Sequence, residues 1–288
     1  MYELRIAPCS PEEAETLSEQ LENLGAVSVS MMDFEDVPIL EPGVGETPLW
    51  DKLIVHAIFT HEHEANEAKK FVQENHAHIH QTIETLPEQN WERVCLERFQ
   101  PLQFGHRLWI CPSWLTPPHP DAVNLILDPG LAFGTGTHAT TALCLTWLDQ
   151  HDLNDKTVVD YGCGSGILAL ASLKLGAKHV YAVDIDDQAL LATAQNREMN
   201  ALPEAMLTIN HPEELDVSVD IIIANILLTP LLSLKSNFKA LLKPQGKLVV
   251  SGLFASQTQT LIDAYSDSFE MLETQTLDEW ALICFSAS

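Results

Sequence analysis

The segment TVVDYGCGSGILALASLKLGA, residues 157–177, decides the fold class. It begins with an apolar, strand-like run, continues through a glycine-rich turn and ends in an apolar helical stretch. Gly162, Gly164 and Gly166 allow the backbone to turn tightly and to approach a ligand without a Cβ clash. The amide groups at the start of the helix then face that ligand. This order of strand, glycine turn and helix predicts a nucleotide-like binding site at the end of the strand.

The sequence beyond this segment repeats the alternation of strand and helix. The runs HVYAVDI, DIIIANI and KLVVSGL, at residues 179–185, 220–226 and 247–253, are almost continuously apolar and are separated by helical segments. That pattern is typical of a parallel sheet covered by helices on both faces. Residues 108–288 are therefore predicted to form a Rossmann-like α/β domain with a mainly parallel sheet.

The first 86 residues have a different pattern. Their predicted elements follow the order β-α-β-β-α-β, which is the split βαβ pattern of ferredoxin-like α+β modules. Residues 87–107 then combine a short helical pattern, ended by Pro101, with an irregular stretch. We therefore predict a small ferredoxin-like domain over residues 1–86 and a connector over 87–107.

The residues around the glycine turn narrow the choice of ligand. Asp184 follows the next strand, 22 residues after Gly162, and an acid there can accept hydrogen bonds from both hydroxyls of a ribose. A nicotinamide-binding fold shares that geometry, but its fingerprint is G-x-G-x-x-G, whereas the spacing here is G-x-G-x-G. Asp160 precedes the turn by two residues, and its carboxylate disfavours a pyrophosphate and favours a cation such as a sulfonium. Neither glycine loop contains the G-K-[ST] of a P-loop.

Asn225 falls at the carboxyl end of the predicted strand 220–226. In open α/β sheets that edge faces the ligand crevice. A carboxamide there can accept a hydrogen bond from an amine and donate another elsewhere. The alternative is that Asn225 caps the helix that follows.

A second glycine-rich stretch, LDPGLAFGTGTHATT at residues 127–141, lies upstream. Its glycines give it the backbone freedom of a cover over the binding site, and Phe133 can exclude water. The alternative is a rigid turn before a helix that Thr140 or Thr141 caps.

Composition restricts the partners. The 288 residues contain 15 Lys+Arg and 41 Asp+Glu, a net charge of −26, which repels phosphate backbones and attracts basic proteins. We expect no direct nucleic-acid binding.

The six cysteines are far apart, which indicates reduced thiols rather than a zinc ribbon or a disulfide framework. There is no signal-peptide pattern, and the longest apolar run is too short to cross a bilayer. We expect a cytoplasmic protein that does not contact membranes.

Alternating histidines invite a metal-site interpretation. His61 and His63 form one pair, and His76, His78 and His80 form a second group. No Cys or acidic residue nearby has a convincing ligand spacing. A solvated polar face is the favoured interpretation, and no metal is expected.

Four stretches of the chain carry a more specific resemblance: LDPGLAFGTGTHATT, DYGCGSGILALASLKLGA, AVDIDDQAL and ANILLTPL. Together they resemble class I S-adenosylmethionine-dependent methyltransferases and, more closely, the bacterial ribosomal protein L11 methyltransferase family. The combination of FGTGTH upstream with ANIL downstream is far more specific than the glycine loop alone, and the similarity covers essentially the whole chain. It implies that residues 1–86 recognise the substrate, that residues 108–288 catalyse methyl transfer, and that S-adenosylmethionine is the cofactor.

The resemblance also implies roles for individual residues. Gly162 lies against the methionine portion of the cofactor, Asp184 binds its ribose, and Thr141 and Asn225 complete the contacts. The predicted cofactor-binding set is Thr141, Asp160, Gly162, Gly164, Asp184 and Asn225, and Asn225 is also the predicted catalytic residue. Many amino-methyltransferases have the motif N-P-P-Y at this position, whereas this chain has Asn-Ile-Leu-Leu. Without the prolines and the aromatic ring, a flexible alkyl amine is favoured over a flat nucleobase.

The expected activity is therefore methyl transfer from S-adenosylmethionine to lysine side chains and the N-terminal amine of ribosomal protein L11, a basic partner. A methyltransferase for another protein or a small-molecule amine is the first alternative. A nicotinamide oxidoreductase and a non-catalytic, ribosome-associated protein with a methyltransferase fold are alternatives from other classes.

Overall fold

A computed structural model of the chain describes residues 1–35, 37, 48–87, 99–128 and 138–287. The chain divides into two compact units, Met1–Val94 and Cys95–Ser288. The boundary falls within the predicted connector, of which residues 88–98 lie outside the described residues.

The first unit contains one antiparallel sheet and two helices. Its elements are β1 (Tyr2–Cys9), α1 (Pro11–Asn23), β2 (Ser28–Asp33), β3 (Leu53–Phe59), α2 (Glu62–Asn75) and β4 (His80–Thr85). The strand order is β2-β3-β1-β4, and every pairing is antiparallel. The predicted order β-α-β-β-α-β is therefore confirmed. The ferredoxin-like class stays a prediction, which this order supports.

Helix α1 shows how local sequence sets its boundaries and its packing. Ser10 and Glu13 form a capping box, with Pro11 at the first helical position, so the backbone amides of Ser10 and Glu13 are satisfied and Pro11 has none to satisfy. Leu17 and Leu21 recur at helical spacing and are fully buried in the core of this unit. Gly25 ends the helix at φ +96°, a conformation that glycine adopts without a Cβ penalty.

The second unit begins with a three-stranded sheet of β5 (Leu102–Phe104), β6 (Leu108–Cys111) and β7 (Val123–Ile126). Strand β5 comes from residues that the sequence analysis places in the connector. Strands β5 and β6 pair antiparallel, and β6 and β7 pair parallel.

The described residues that follow form a seven-stranded sheet and the five α-helices that connect its strands or precede them. Its elements are α3 (Ala139–Gln150), β8 (Thr157–Tyr161), α4 (Ile167–Lys174), β9 (His179–Val183), α5 (Asp187–Met199), β10 (Leu207–Asn210), β11 (Val219–Asn225), α6 (Leu228–Leu241), β12 (Leu242–Phe254), α7 (Thr258–Tyr265), β13 (Phe269–Leu277) and β14 (Trp280–Ala287). The strand order is β10-β9-β8-β11-β12-β14-β13. The first five strands are parallel and the last two pair antiparallel, so the predicted mainly parallel sheet is confirmed.

Burial on both faces explains the continuous apolar runs. Val158 and Val159 are adjacent and both fully buried, but they belong to cores on opposite faces of the sheet. Helix α4 is buried almost all round, as expected of a helix that packs between neighbours. Strand order reverses between β8 and β11, so the carboxyl ends of β8, β9 and β11 border one crevice.

Within the described residues, no helix is both long and apolar enough to cross a membrane. The described cysteines, Cys9, Cys111, Cys144, Cys163 and Cys284, are free and buried.

Candidate active site

A cavity of about 340 Å³ opens at the carboxyl ends of β8, β9 and β11. Its volume lies in the range of about 300–1,000 Å³ that is typical of small-molecule sites. Five of the six residues predicted to bind the cofactor line it: Thr141, Gly162, Gly164, Asp184 and Asn225. The sixth, Asp160, lies just before the glycine turn and is completely buried.

The glycine turn has a left-handed backbone. Gly162, Gly164 and Gly166 have φ values of +79°, +55° and +78°, which other L-residues rarely adopt. The amides of Gly162 and Cys163 both donate to the carbonyl oxygen of Val183, at 2.8 and 3.0 Å. These bonds fasten the turn to the end of β9.

Close packing gives Gly166 a second reason to lack a side chain. It precedes α4 as the helix N-cap. A Cβ at this position would lie 2.7 Å from the hydroxyl oxygen of Thr193. That hydroxyl donates to the carbonyl of Gly164 at 3.2 Å. This hydrogen bond connects α5 to the glycine turn.

Asp184 connects the turn to the cavity. Its Oδ2 accepts from the Gly164 amide at 2.9 Å, and its Oδ1 accepts from the Asp186 amide at 3.1 Å. Each oxygen retains a lone pair that a ribose hydroxyl can use. The next residue, Ile185, lines the same cavity and is 82% exposed.

Asp160 is a buried acid beneath the turn. Its Oδ2 accepts from the Ala169 amide of α4 at 2.8 Å, but its Oδ1 is buried without a hydrogen-bond partner. The pKa of this carboxyl is raised to about 7, chiefly by burial and to a smaller extent by the charge of Asp184, while the hydrogen bond from Ala169 opposes the rise. A cation near this carboxyl would favour its ionised form.

Asn225 is the last residue of β11. Its Nδ2 donates to the hydroxyl oxygen of Thr141 at 3.3 Å, whereas its Oδ1 is buried and has no partner. The hydroxyl thus orients the carboxamide and leaves one acceptor free in the wall of the cavity.

Both capping alternatives are wrong. The N-cap of α3 is His138, whose side chain accepts from the Thr140 amide, and Thr140 and Thr141 are buried within the first helical turn. The N-cap of α6 is Leu227, so Asn225 caps no helix.

Several lining residues were missed by the sequence analysis: Tyr161, Cys163, Ile167, Leu168, Ile185, Pro212, Ile226, Pro230 and Leu234. Four of them, Cys163, Ile185, Pro212 and Ile226, follow the end of a parallel strand by one or two residues, and that position was the available signal. Those on helices α4 and α6 had none, because their apolar side chains look like ordinary core.

Gly252 was also missed, although it shapes the cavity. It has φ +85°, and a Cβ there would lie 2.4 Å from the carbonyl oxygen of Ile226. The close approach holds β12 against the residue that follows Asn225.

The predicted cover loop lies mostly outside the described residues, since these exclude 129–137. Its two flanks are well anchored. Asp128 accepts from the amide and the hydroxyl of Ser113, at 2.6 and 2.7 Å, and His138 caps α3.

Three of the histidines considered as metal ligands, His61, His63 and His78, contact other side chains. His61 and His63 stack at 5.6 Å between ring centroids, and His78 bonds to the carboxylate of Glu13 at 2.7 Å. In the part of the chain that the structure describes, His, Cys, Asp and Glu form no group of three or more that could hold a metal ion.

The fold and the cavity define a class I, S-adenosylmethionine-dependent methyltransferase domain. Three features support this assignment: the strand order of the sheet, the glycine turn after β8, and the acidic residue that follows β9. The chain belongs to the ribosomal protein L11 methyltransferase (PrmA) family, whose sequence profile matches residues 1–288.

Known relatives span the same length. The ribosomal protein L11 methyltransferase of Legionella pneumophila (strain Lens) is 51% identical over 286 residues, which is 99% of each chain. That of Actinobacillus pleuropneumoniae serotype 5b is 48% identical over 279 residues, 94% of each chain. The crystal structure of a ribosomal protein L11 methylase from Lactobacillus delbrueckii subsp. bulgaricus matches with a TM-score of 0.61 and 32% identity, covering 66% of this chain and all of the other.

Proposed function

We propose that this protein transfers methyl groups from S-adenosylmethionine to amines of ribosomal protein L11, namely lysine side chains and the N-terminal amine. The observation that carries the proposal is the free Oδ1 of Asn225, a buried acceptor in the same cavity as the glycine turn. This oxygen would accept a hydrogen bond from an N–H of the substrate amine.

The residues present fit the cofactor. The carboxyl oxygen Oδ1 of Asp160 and the carboxamide oxygen Oδ1 of Asn225 are buried and have no hydrogen-bond partner. Such acceptors suit a ligand that carries a positive charge and hydrogen-bond donors. The glycine turn would hold the methionine portion, and Asp184 would accept from the ribose. Ile185 and Pro212 offer an apolar surface at the Asp184 end of the cavity.

The bound cofactor would supply a methyl group on a cationic sulfur, which an amine displaces directly. The protein must then select the neutral amine, because a free lysine has a pKa of about 10.4 and only about one molecule in 2,500 is neutral at pH 7. Burial disfavours the ammonium form. Asn225 would accept one N–H, and so direct the nitrogen lone pair away from its own oxygen and toward the methyl carbon.

The first unit would recognise the substrate, and the cytoplasm, where ribosomal proteins are assembled, is the proposed location. Three observations support this arrangement: the unit has a core of its own, it is strongly acidic, and the relatives named for ribosomal protein L11 match over the whole chain.

The decisive experiment incubates purified, unmodified ribosomal protein L11 with this protein and S-adenosylmethionine and then measures its intact mass. Mass additions in steps of about 14 Da are expected, the mass of one methylene group, and fragmentation would locate them. Binding of S-adenosylhomocysteine is measured in parallel. An unchanged mass together with tight binding would retain the methyltransferase and exclude this substrate, whereas binding of NADH instead would point to an oxidoreductase.

A further inference from the structure

An aromatic cluster lies beside Asn225, on the side opposite to the glycine turn. Trp280 stacks on Phe254, with ring centroids 4.2 Å apart and planes at 23°. His138 meets the same indole edge-on at 4.7 Å. All three side chains are half-buried, so each retains surface that a ligand can reach.

Two independent connections place this cluster next to the candidate amine site. Through the sheet, Asn225 pairs with Ser251 of β12, whose hydroxyl donates to the carbonyl of Ala281, the neighbour of Trp280, at 2.8 Å. Through α3, Thr141 receives the hydrogen bond from Asn225, and His138 caps the same helix. Strand β14 is two strands from β11, a lateral spacing of about 10 Å, and Trp280 pairs with Phe254, three residues beyond Ser251 on β12.

The surroundings favour the arrival of the acceptor as an ammonium ion, which must lose its proton to solvent before its nitrogen can attack the methyl group. The turn between β13 and β14 consists of Asp278 and Glu279, which are both exposed and directly precede Trp280. Carboxylates attract an approaching ammonium group, and an aromatic face binds alkylammonium groups well once they are partly desolvated.

We propose that Trp280 and Phe254 form a substrate-contacting wall that holds the alkyl stem and the nitrogen of the acceptor amine beside Asn225. This inference rests on the proposed function and extends it. A neutral primary or secondary amine can donate an N–H to Asn225 Oδ1. A neutral tertiary amine has no N–H, so its position depends on the wall alone.

The test compares Trp280→Leu, which removes the aromatic face, with Trp280→Phe, which keeps one. Tyr181→Leu is the matched control, since Tyr181 is a half-buried aromatic side chain of the same sheet that packs on the other core. The acceptors are unmodified ribosomal protein L11 and the same protein after reductive methylation, in which primary amines have become tertiary. S-adenosylhomocysteine affinity is measured for every variant.

Trp280→Leu is expected to lower kcat/KM about threefold for unmodified L11 and about thirtyfold for the reductively methylated protein, with unchanged S-adenosylhomocysteine affinity. Trp280→Phe and Tyr181→Leu should stay within about twofold of the parent chain on both acceptors. Equal losses on the two acceptors, or no loss at all, would overturn the wall.

A second measurement does not depend on L11 being the substrate. The indole N–H resonance of Trp280, assigned with Trp280→Phe, is followed while N,N-dimethylbutylamine hydrochloride is added to the parent chain saturated with S-adenosylhomocysteine. A selective shift of this resonance supports the wall even if L11 is not methylated. If the resonance does not move, the wall is excluded whatever the enzyme methylates.

Discussion

At the scale of single residues, one polar atom in the cavity wall and one buried beneath the glycine turn have no hydrogen-bond partner. A buried acceptor that lacks a hydrogen bond costs about 1–3 kcal/mol, yet Asn225 Oδ1 and Asp160 Oδ1 are both in this state. A ligand that donates to them would recover part of this free energy on binding. Of the two residues only Asn225 lines the cavity, so its Oδ1 is the acceptor that a bound ligand would meet directly.

Replacement of Asn225 by alanine tests this assignment. We expect kcat/KM for the acceptor to fall about 10- to 100-fold, because one buried hydrogen bond of about 1–3 kcal/mol is lost. The melting temperature should change little, since the substitution also removes an unpaired acceptor. Asn210→Ala is the control, because Asn210 ends the parallel strand β10 without lining the cavity. If both variants lose activity equally, Asn225 has no special role.

Asp160 leads to a prediction about pH. Its pKa in the folded protein is about 7, against 3.8 for the free side chain, so between these values the folded state binds more protons than the unfolded state. Stability must therefore fall as pH rises through this window. Integrated between pH 5 and pH 8, this group alone removes about 3 kcal/mol from the free energy of unfolding.

Urea unfolding of the parent chain and of Asp160→Asn at pH 5 and pH 8 checks this. The variant cannot ionise at this position, so its stability should decline less over the interval, by about 3 kcal/mol. The comparison cancels the general repulsion of an acidic protein, which both chains share. Parallel declines would show that Asp160 titrates normally.

At the scale of secondary-structure elements, the strand–turn–helix segment 157–177 correctly predicted the glycine turn that forms one side of the cavity. The continuous apolar run identified β8, and the glycine turn identified the start of α4. The rule that ligands bind at carboxyl ends of parallel strands placed Asp184 and Asn225 correctly at the sheet edge. Such inferences work because they depend on neighbours in sequence.

Contacts between distant segments could not be predicted in the same way. The bond from Asn225 to Thr141 joins residues 84 positions apart, and the Phe254–Trp280 stack depends on the register of β12 against β14. Gly252 resembles any strand glycine in the sequence. Its importance lies in the distance to Ile226, which only the packed sheet determines.

Gly252→Ala is expected to damage both stability and activity. An alanine at position 252 would have to adopt φ +85°, and its Cβ would overlap the Ile226 carbonyl oxygen. Strands β12 and β11 must therefore separate next to Asn225. We expect a loss of more than about 2 kcal/mol in the free energy of unfolding and a fall in kcat/KM.

Gly25→Ala supplies the matched control for this experiment. Gly25 has a similar φ of +96°, but its nearest neighbour would be 4.0 Å from the new Cβ. It should therefore show only the backbone cost of about 1 kcal/mol. Similar values for the two variants would mean that the close approach at Gly252 is unimportant.

At the scale of the whole molecule, charge is unevenly distributed between the two units. Residues 1–94 contain 19 acidic and 5 basic side chains, whereas residues 95–288 contain 22 and 10. The first unit thus has the larger net charge, −14 against −12, on about half as many residues. This asymmetry suits a unit that attracts a basic protein, while the second unit binds a small cofactor.

Changes in ionic strength should affect the attraction of the basic protein and the binding of the small cofactor differently. Long-range attraction between proteins is screened beyond about 10 Å at 0.1 M salt, and electrostatic steering raises association rates about 10- to 1,000-fold at low salt. Between about 25 mM and 500 mM KCl, kcat/KM for ribosomal protein L11 should therefore fall at least about tenfold. The affinity for S-adenosylhomocysteine should change much less, because its contacts lie within the cavity.

Charge neutralisation in the first unit identifies the source of that attraction. Glu15, Glu19 and Glu22 lie on the exposed face of α1, and their replacement together by glutamine should flatten the salt dependence of kcat/KM at low ionic strength without altering S-adenosylhomocysteine binding. At high salt the variant and the parent chain should converge, since the attraction is then screened in both. If instead kcat/KM falls by the same factor at every salt concentration, α1 contacts the substrate directly rather than steering it.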